Sequence, residues 1–336
     1  MAVGKALWAA NGGLKMGSAK FGFHGEVTGS IKQNVHDGDT TNVQLDRNLG
    51  VRFLGIDTPE ISFEFPGTSN FLALSNEKWD TLFTSGAWKE GLALYPGLLR
   101  DLETRIGDGV GVAKNHARQA DAAQKSLEKI IEEDLAKSGK TKEDFRQFMA
   151  FAHEFLDSYG RLLCYLNSGE ENYTDPLVAK AIKRWSYNER QLTTGWAVPY
   201  FIWPNVQPFM GKQPFSKENV EPAGFWALIK GASKLRAARE AVASARAAGL
   251  GIFNPADPLR VMPFELRFLS RKKGPERYVI NLNDAGSGYL LDPSLYYTVP
   301  NPEDRLHIPP EYLPVFKAFG WEVTGTDAWN FATQSL

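Results

Sequence analysis

Residues 21–61 alternate β-branched and apolar side chains with polar ones, and this period of two restricts the segment to strands. Turn signals cut it into short pieces, at His36-Asp37-Gly38-Asp39 and again at Asp46-Arg47-Asn48-Leu49-Gly50. A meander of short strands therefore opens the fold. Residues 113–137 follow the other period. They are rich in Ala, Lys and Glu, repeat Leu127, Ile130, Ile131 and Leu135 at helical spacing, and stop at Ser138-Gly139. A chain that carries both patterns in separate stretches belongs to the α+β class, expected here to be mainly β.

Between these stretches, residues 62–111 break into aromatic pieces interrupted by Gly and Pro, such as Phe63-Glu64-Phe65-Pro66-Gly67 and Tyr95-Pro96-Gly97. They read as an insertion with one or two short helices. Residues 148–166 return to strand on both sides of Tyr159-Gly160-Arg161, 186–195 read as a short helix, and 199–204 as an aromatic loop. A second long helix is expected over 225–249, with Leu235, Ala238, Val242 and Ala245 on one stripe. Residues 262–269 and 277–282 read as the two strands of a hairpin, followed by a Pro-rich tail. The expected organisation is an N-terminal extension (1–20), a main domain (21–255) that contains the 62–111 insertion, and a small β-rich C-terminal module (256–336).

Composition narrows the classes. The chain has 336 residues, more than one ordinary core needs, and a single cysteine, Cys164. No internal disulfide or cysteine zinc cluster is possible, so stability must come from burial. The sequence has no apolar run of about 18 residues, and residues 1–20 lack the long apolar centre of a secretory signal. No membrane contact and, by default, a cytoplasmic location are expected. A net charge of -1 argues against a generally basic coat and leaves room for a local cationic groove.

The chemistry is concentrated in two segments, Val35-His36-Asp37-Gly38-Asp39-Thr40 and the run 51–60 that ends Ile56-Asp57-Thr58-Pro59-Glu60. Asp-Gly-Asp alone is a turn. A second carboxylate placed just after the apolar residues 53–56 changes its meaning, because antiparallel pairing brings Asp57 back beside Asp39. Two carboxylates, a carbonyl and waters suit a hard divalent cation such as Ca2+ and leave room for a phosphate oxygen. Glu60, held in an irregular segment by Pro59, is placed to take a proton from an attacking water or to orient it. Arg52 alternates with Phe53 and so points away from the core, where a guanidinium clamps phosphate with two parallel hydrogen bonds. Arg161, which follows the Tyr159-Gly160 turn, repeats the idea.

Asp37-Gly38-Asp39-Thr40, the run from Arg52 to Glu60, and Asp157-Ser158-Tyr159-Gly160-Arg161 together resemble, in the same order, the three signature blocks of the staphylococcal nuclease family. The similarity continues through Tyr187-Asn188-Glu189-Arg190-Gln191-Leu192 with Gly195 behind it, and through the Ala/Arg helix that ends Gly249-Leu250-Gly251-Ile252-Phe253. It covers about 21–61 and 148–255. What it implies is a five-stranded OB-fold barrel with packed helices and Ca2+-dependent hydrolysis of DNA or RNA that leaves 3'-phosphate ends. It further implies Asp39 and Asp57 as metal ligands, Thr58 as a ligand through its carbonyl, Glu60 as the base or water-positioning group, and Arg52 and Arg161 on the phosphate. Tyr159 matches the nucleotide-contacting tyrosine, and Tyr200 or Trp203 would supply a later aromatic contact. The chain departs from the pattern at His36, at Ser158, and in about forty extra residues after Glu60, read either as a lid or as a docking surface.

Two other classes compete with a nuclease. One is a non-catalytic OB-fold module that binds nucleic acid or protein. The other is an interaction protein whose insertion, with Trp79, Trp88 and Tyr95, or whose C-terminal module meets a protein partner. The 225–249 helix and the cluster Arg267, Arg271, Lys272 and Lys273 are further candidate backbone contacts. The five His residues are scattered, and no nucleophile elbow, P-loop or zinc helix is present.

Overall fold

The computed structural model describes residues 7–10, 13–16, 19–21 and 43–45 by their strand pairing, and 50–157, 160–208 and 214–325 in full. Contacts divide the chain into two units, 1–52 with 154–164 and 53–153 with 165–336. The class is α+β, but helix outweighs strand, which corrects the expectation of a mainly β chain. Among the described residues every sheet is open and none closes into a barrel. Much of the 21–61 meander lies outside those residues.

In the first unit, β1 (Leu7–Ala10) pairs antiparallel with β2 (Gly13–Met16), and β3 (Ala19–Phe21) with β4 (Val43–Leu45). β5 (Val51–Phe53) carries Arg52. Further along the same unit, the backbone N–H of Asp157 donates to the Arg161 carbonyl at 3.0 Å, and Leu162 N–H donates to Gly50 O at 2.7 Å.

The second unit starts with β6 (Gly55–Asp57), a hairpin of β7 (Ser62–Glu64) and β8 (Phe71–Ala73), and three helices, α1 (Glu77–Thr84), α2 (Pro96–Ile106) and α3 (Val112–Ser138). Then come β9 (Gln147–Ala150), β10 (Leu162–Ser168), α4 (Pro176–Lys183), α5 (Tyr187–Thr193) and β11 (Val198–Ile202). The chain continues through α6 (Lys217–Val220), α7 (Pro222–Gly231), α8 (Ser233–Ala247) and α9 (Pro263–Ser270). It ends in β12 (Tyr278–Asn281), β13 (Tyr289–Leu291), β14 (Arg305–Ile308), α10 (Leu313–Ala318) and β15 (Glu322–Thr324). Six of these strands form one mixed sheet, ordered β15-β13-β12-β14-β11-β6.

Alternation along the strands splits the apolar residues of this sheet between two cores. Ile56, Phe201, Ile280 and Leu306 enter one core with Trp203, Phe225, Phe316 and Trp321 from the helices and loops around it. Their neighbours Tyr200 and Val279 enter the other, with Trp79, Leu98, Leu102, Phe264 and Phe268. The pairing Asp57↔Val198, with Ile202↔His307 and Val279↔His307, puts Asp57, Tyr200 and His307 on that second face. The second core joins the 62–111 stretch to the residues after 256, so the C-terminal residues do not stand apart as a module. Their four strands complete the sheet that β6 and β11 begin.

Several local expectations are corrected. Residues 263–270 form helix α9, not a hairpin strand. Nearly every residue of α9 is buried, which hides the helical period, while Pro263 at its first position and Glu265 accepting from Met262 N–H at 2.7 Å start the helix. Residues 198–202 form an interior strand of the sheet, between β14 and β6, rather than an aromatic loop; Pro199 and Pro204 masked it. The 225–249 helix is two helices broken at Ala232, next to helix-weakening Gly231. α3 and α5 lie where the periodicity predicts, and α5 opens on a Ser186–Glu189 capping box. The Gly195 turn and Gly251 meet backbone to backbone: both have positive φ, and a Cβ on Gly195 would lie 2.5 Å from the Leu250 carbonyl oxygen.

Candidate functional site

α3 and α9 close over the second face of the sheet, and polar residues spaced along α3 fix where α9 begins. Asn115 donates to Asp257 Oδ1 at 2.9 Å and Gln119 donates to the Asp257 carbonyl at 2.7 Å. His116, buried between them, accepts from the backbone N–H of Glu60 through Nε2 at 2.8 Å. An acceptor at Nε2 leaves the proton on Nδ1, which donates to Val261 O at 3.1 Å. Burial, outweighing the neighbouring Asp57, pushes the His116 pKa down to about 4, so the ring is neutral. One side chain thus ties the segment bearing Glu60 to the segment that enters α9.

Arg267, one turn into α9, is where the carboxylates meet. Its Nη1 donates to Asp57 Oδ1 at 3.0 Å and to Glu60 Oε1 at 3.2 Å, and its Nη2 donates to Asp57 Oδ2 at 2.5 Å. Asp57 is fully buried, whereas the Glu60 side chain keeps 26% of its exposure. Burial works against the Arg267 charge, but Asp57 outweighs it and holds the guanidinium more firmly protonated than usual. The same guanidinium lies 5.7 Å from the Tyr200 ring centre. Three predicted site residues, Asp57, Glu60 and Tyr200, therefore converge on one arginine, and Thr58 follows Asp57 partly buried.

Tyr200 is closed in rather than presented. It stacks on Phe264 at 5.5 Å between centroids, touches His307 at 4.7 Å, and its hydroxyl accepts from Arg277 Nη1 at 2.6 Å. Trp203 is inside the first core against Phe225 and Phe316, with no exposed surface, so its predicted contact with substrate is corrected to a packing role. In the first unit Arg161 is held by Asp157, Nε to Oδ2 at 2.7 Å and backbone N–H to Oδ1 at 2.9 Å, and Arg52 is half-buried on β5. Asp39 and Tyr159 lie outside the described residues.

The chemistry of the donors suits a hard cation, but their arrangement here does not. Both oxygens of Asp57 and one of Glu60 already accept from Arg267. Among the described residues no group of three or more His, Cys, Asp or Glu is placed to hold a metal. A cation held by Asp57 would bind in competition with the guanidinium.

The basic surface candidates also sort out. On α8, Arg239 pairs with Asp304, Arg246 with Glu303 and Lys234 with Glu189, so its charge is largely spent inside the fold. Lys272 caps the carbonyls of Ala87 and Trp88, while Arg271 and Lys273 on either side are exposed. Sequence reasoning missed His116, Arg277 and His307; the only signal for His116 was its place among the amides of a predicted helix. Among the described residues, no helix is long and apolar enough to cross a membrane. Compared with protein-family models, with characterised proteins and with solved structures, the chain matches none.

Proposed function

We propose that the chain is a phosphodiesterase of the staphylococcal nuclease type that hydrolyses DNA or RNA, with Ca2+ as the metal the resemblance implies. One observation carries the reading: Asp57 and Glu60, the two carboxylates of the Arg52–Glu60 block, share a single partly buried guanidinium. Glu60 is fixed twice, by His116 at its backbone and by Arg267 at its carboxylate, yet its side chain reaches solvent. A carboxylate so fixed can orient a water and take its proton as the oxygen attacks phosphorus. Arg52 and Arg161 keep the phosphate-holding role the resemblance gives them. The reading carries with it an OB barrel that includes the 21–61 meander.

The test is cleavage of single- and double-stranded DNA and of RNA, titrating Ca2+ against EGTA, with Glu60→Gln as control. Removing a transition-state contact should lower kcat by about 10²- to 10³-fold. No cleavage by folded wild-type protein would remove the proposal.

A second reading, the non-catalytic binding module, is favoured by the Arg267 fork on Asp57, because a lysine- or arginine-satisfied carboxylate needs no metal. It is distinguished by the same assay, as nucleic acid bound without being cut at any Ca2+ concentration.

A further inference from the structure

Trp185 follows α4, is only partly buried, and belongs to neither of the two cores. What borders its ring is cationic: the Arg184 guanidinium lies 5.8 Å from the ring centre and the Lys234 ammonium 6.0 Å. Lys234 holds this arrangement in place. Its ammonium donates to the Arg184 carbonyl and pairs with the buried Glu189 at 3.3 Å, which ties the end of α4 to the start of α8.

Charge extends from the ring along both elements. Leu177, Lys180, Ala181 and Arg184 recur at helical spacing on one face of α4 and its cap, and all four are exposed. On the other side, Lys230 stands in the last turn of α7, and Arg236 of α8 donates from Nη1 to the Lys230 carbonyl at 3.5 Å. Lys180, Arg184, Lys230 and Arg236 are exposed, and among the described residues none of the four pairs with a carboxylate. The helix dipole accounts for Lys180 and Lys230 near helix C-termini. It opposes Arg236, which ends the first turn of α8, a turn with no acidic residue. Helix stability therefore does not explain why a cation stands there.

A partly exposed ring bordered by cations matches a nucleic-acid strand, whose bases stack on aromatic faces while its phosphates meet Lys and Arg. An acidic peptide offers the charge without the planar rings. A membrane calls for a wider apolar face than Leu177 gives this eight-residue helix.

We infer that Trp185, the outer face of α4 and the start of α8 form a docking surface for a single nucleic-acid strand, with a base on Trp185 and phosphates on Lys180, Arg184, Lys230 and Arg236. Neither Asp57 nor Glu60 is part of this surface, so it does not rest on hydrolysis.

The experiment is fluorescence anisotropy of a labelled oligothymidylate in EDTA, so that nothing is cleaved. It compares wild-type protein with Arg184→Gln/Arg236→Gln and with Trp185→Ala, circular dichroism checking each fold. Lys234 is left in place, and its acceptor on Arg184 is backbone. The double variant should bind more weakly at low salt, with the salt dependence of log K shallower by about 1.4, the value for two phosphate contacts on a single strand. Trp185→Ala should bind roughly tenfold more weakly with the slope unchanged, because stacking releases no counterions. Unchanged affinity and slope in the folded double variant would overturn the surface, and so would a wild-type protein that binds no oligothymidylate. Displacement of the label by polyglutamate as readily as by unlabelled oligothymidylate would also overturn it, since charge alone would then be read. Binding that both variants weaken, in a protein that shows no Ca2+-dependent cleavage, keeps the surface and removes only the nuclease.

Discussion

Arg267 forks onto Asp57 across 210 residues of sequence, Nη1 to Oδ1 at 3.0 Å and Nη2 to Oδ2 at 2.5 Å, and this pair joins the motif-bearing strand β6 to helix α9. A buried charge loses far more when its partner is removed than the intact pair contributes. Arg267→Met should therefore destabilise the protein by about 3–5 kcal/mol, read from urea unfolding at neutral pH, while Asp57→Asn/Arg267→Met together should recover most of the loss. If the double variant is as unstable as the single one, Arg267 acts through packing alone.

The same competition gives a metal-dependent prediction. With the guanidinium gone, Asp57 and Glu60 lose the positive charge they share. Ca2+ should restore stability to Arg267→Met more than it adds to the wild type, as RT ln(1 + [Ca2+]/Kd) requires of a ligand that binds only the folded state. Equal Ca2+ effects on the unfolding midpoints of both proteins would show that no cation reaches these carboxylates.

Glu265 heads a second buried network at the start of α9. It accepts from Arg105 at 2.7 and 2.8 Å, from the Tyr296 hydroxyl at 2.6 Å and from Met262 N–H at 2.7 Å. Burial pushes its carboxyl up, but Arg105 and Tyr296 outweigh burial and hold it below the usual range. Glu265→Leu leaves Arg105 partly uncompensated and should cost about 3–5 kcal/mol, whereas Tyr296→Phe removes one hydrogen bond to a charged group and should cost about 2 kcal/mol. The reverse order in chemical denaturation would refute the assignment.

Elements with one exposed face were legible in the sequence. α3 shows its apolar stripe, and α5 carries Ser186 and Glu189 at capping-box spacing. α9 was not legible, because a helix buried on almost every side has no polar face to set its period. Arg267 stood out only as one of four basic residues near 270; its partner lies so far along the chain that no local pattern could pair them. The Asp57–Glu60 segment was read from its own motif, but its closure by Arg267 and His116 depends on tertiary contact alone.

Trp203 separates a packing role from a binding role. With no exposed surface and two aromatic neighbours, Trp203→Ala should cost about 3–5 kcal/mol in stability. Wild-type Trp203 should stay inaccessible to acrylamide, and oligonucleotide affinity of the folded variant should be unchanged. A large loss of affinity with little loss of stability would return Trp203 to the substrate.

The pH dependence of stability follows from His116. Its ordinary value of 6.5 is lowered to about 4 in the folded protein, first by burial. As pH falls below 6.5, the unfolded chain takes up a proton that the folded ring refuses, so stability present above 6.5 is lost progressively down to about 4. A difference of this size corresponds to roughly 3 kcal/mol. His307, also buried and lowered, works in the same direction beside Arg277 and Arg305. Glu265 and Asp304, whose values are depressed, lose their contribution only below the ordinary carboxylate range, so the histidine window lies above theirs. His116→Gln keeps an acceptor for Glu60 N–H and a donor for the Val261 carbonyl without taking up a proton. It should flatten, though not abolish, the fall in unfolding midpoint between pH 6.5 and 4.5, leaving the His307 part. A variant that loses stability over this window as steeply as the wild type would show that His116 is protonated without cost, and that the neutral ring does not hold Glu60 in place.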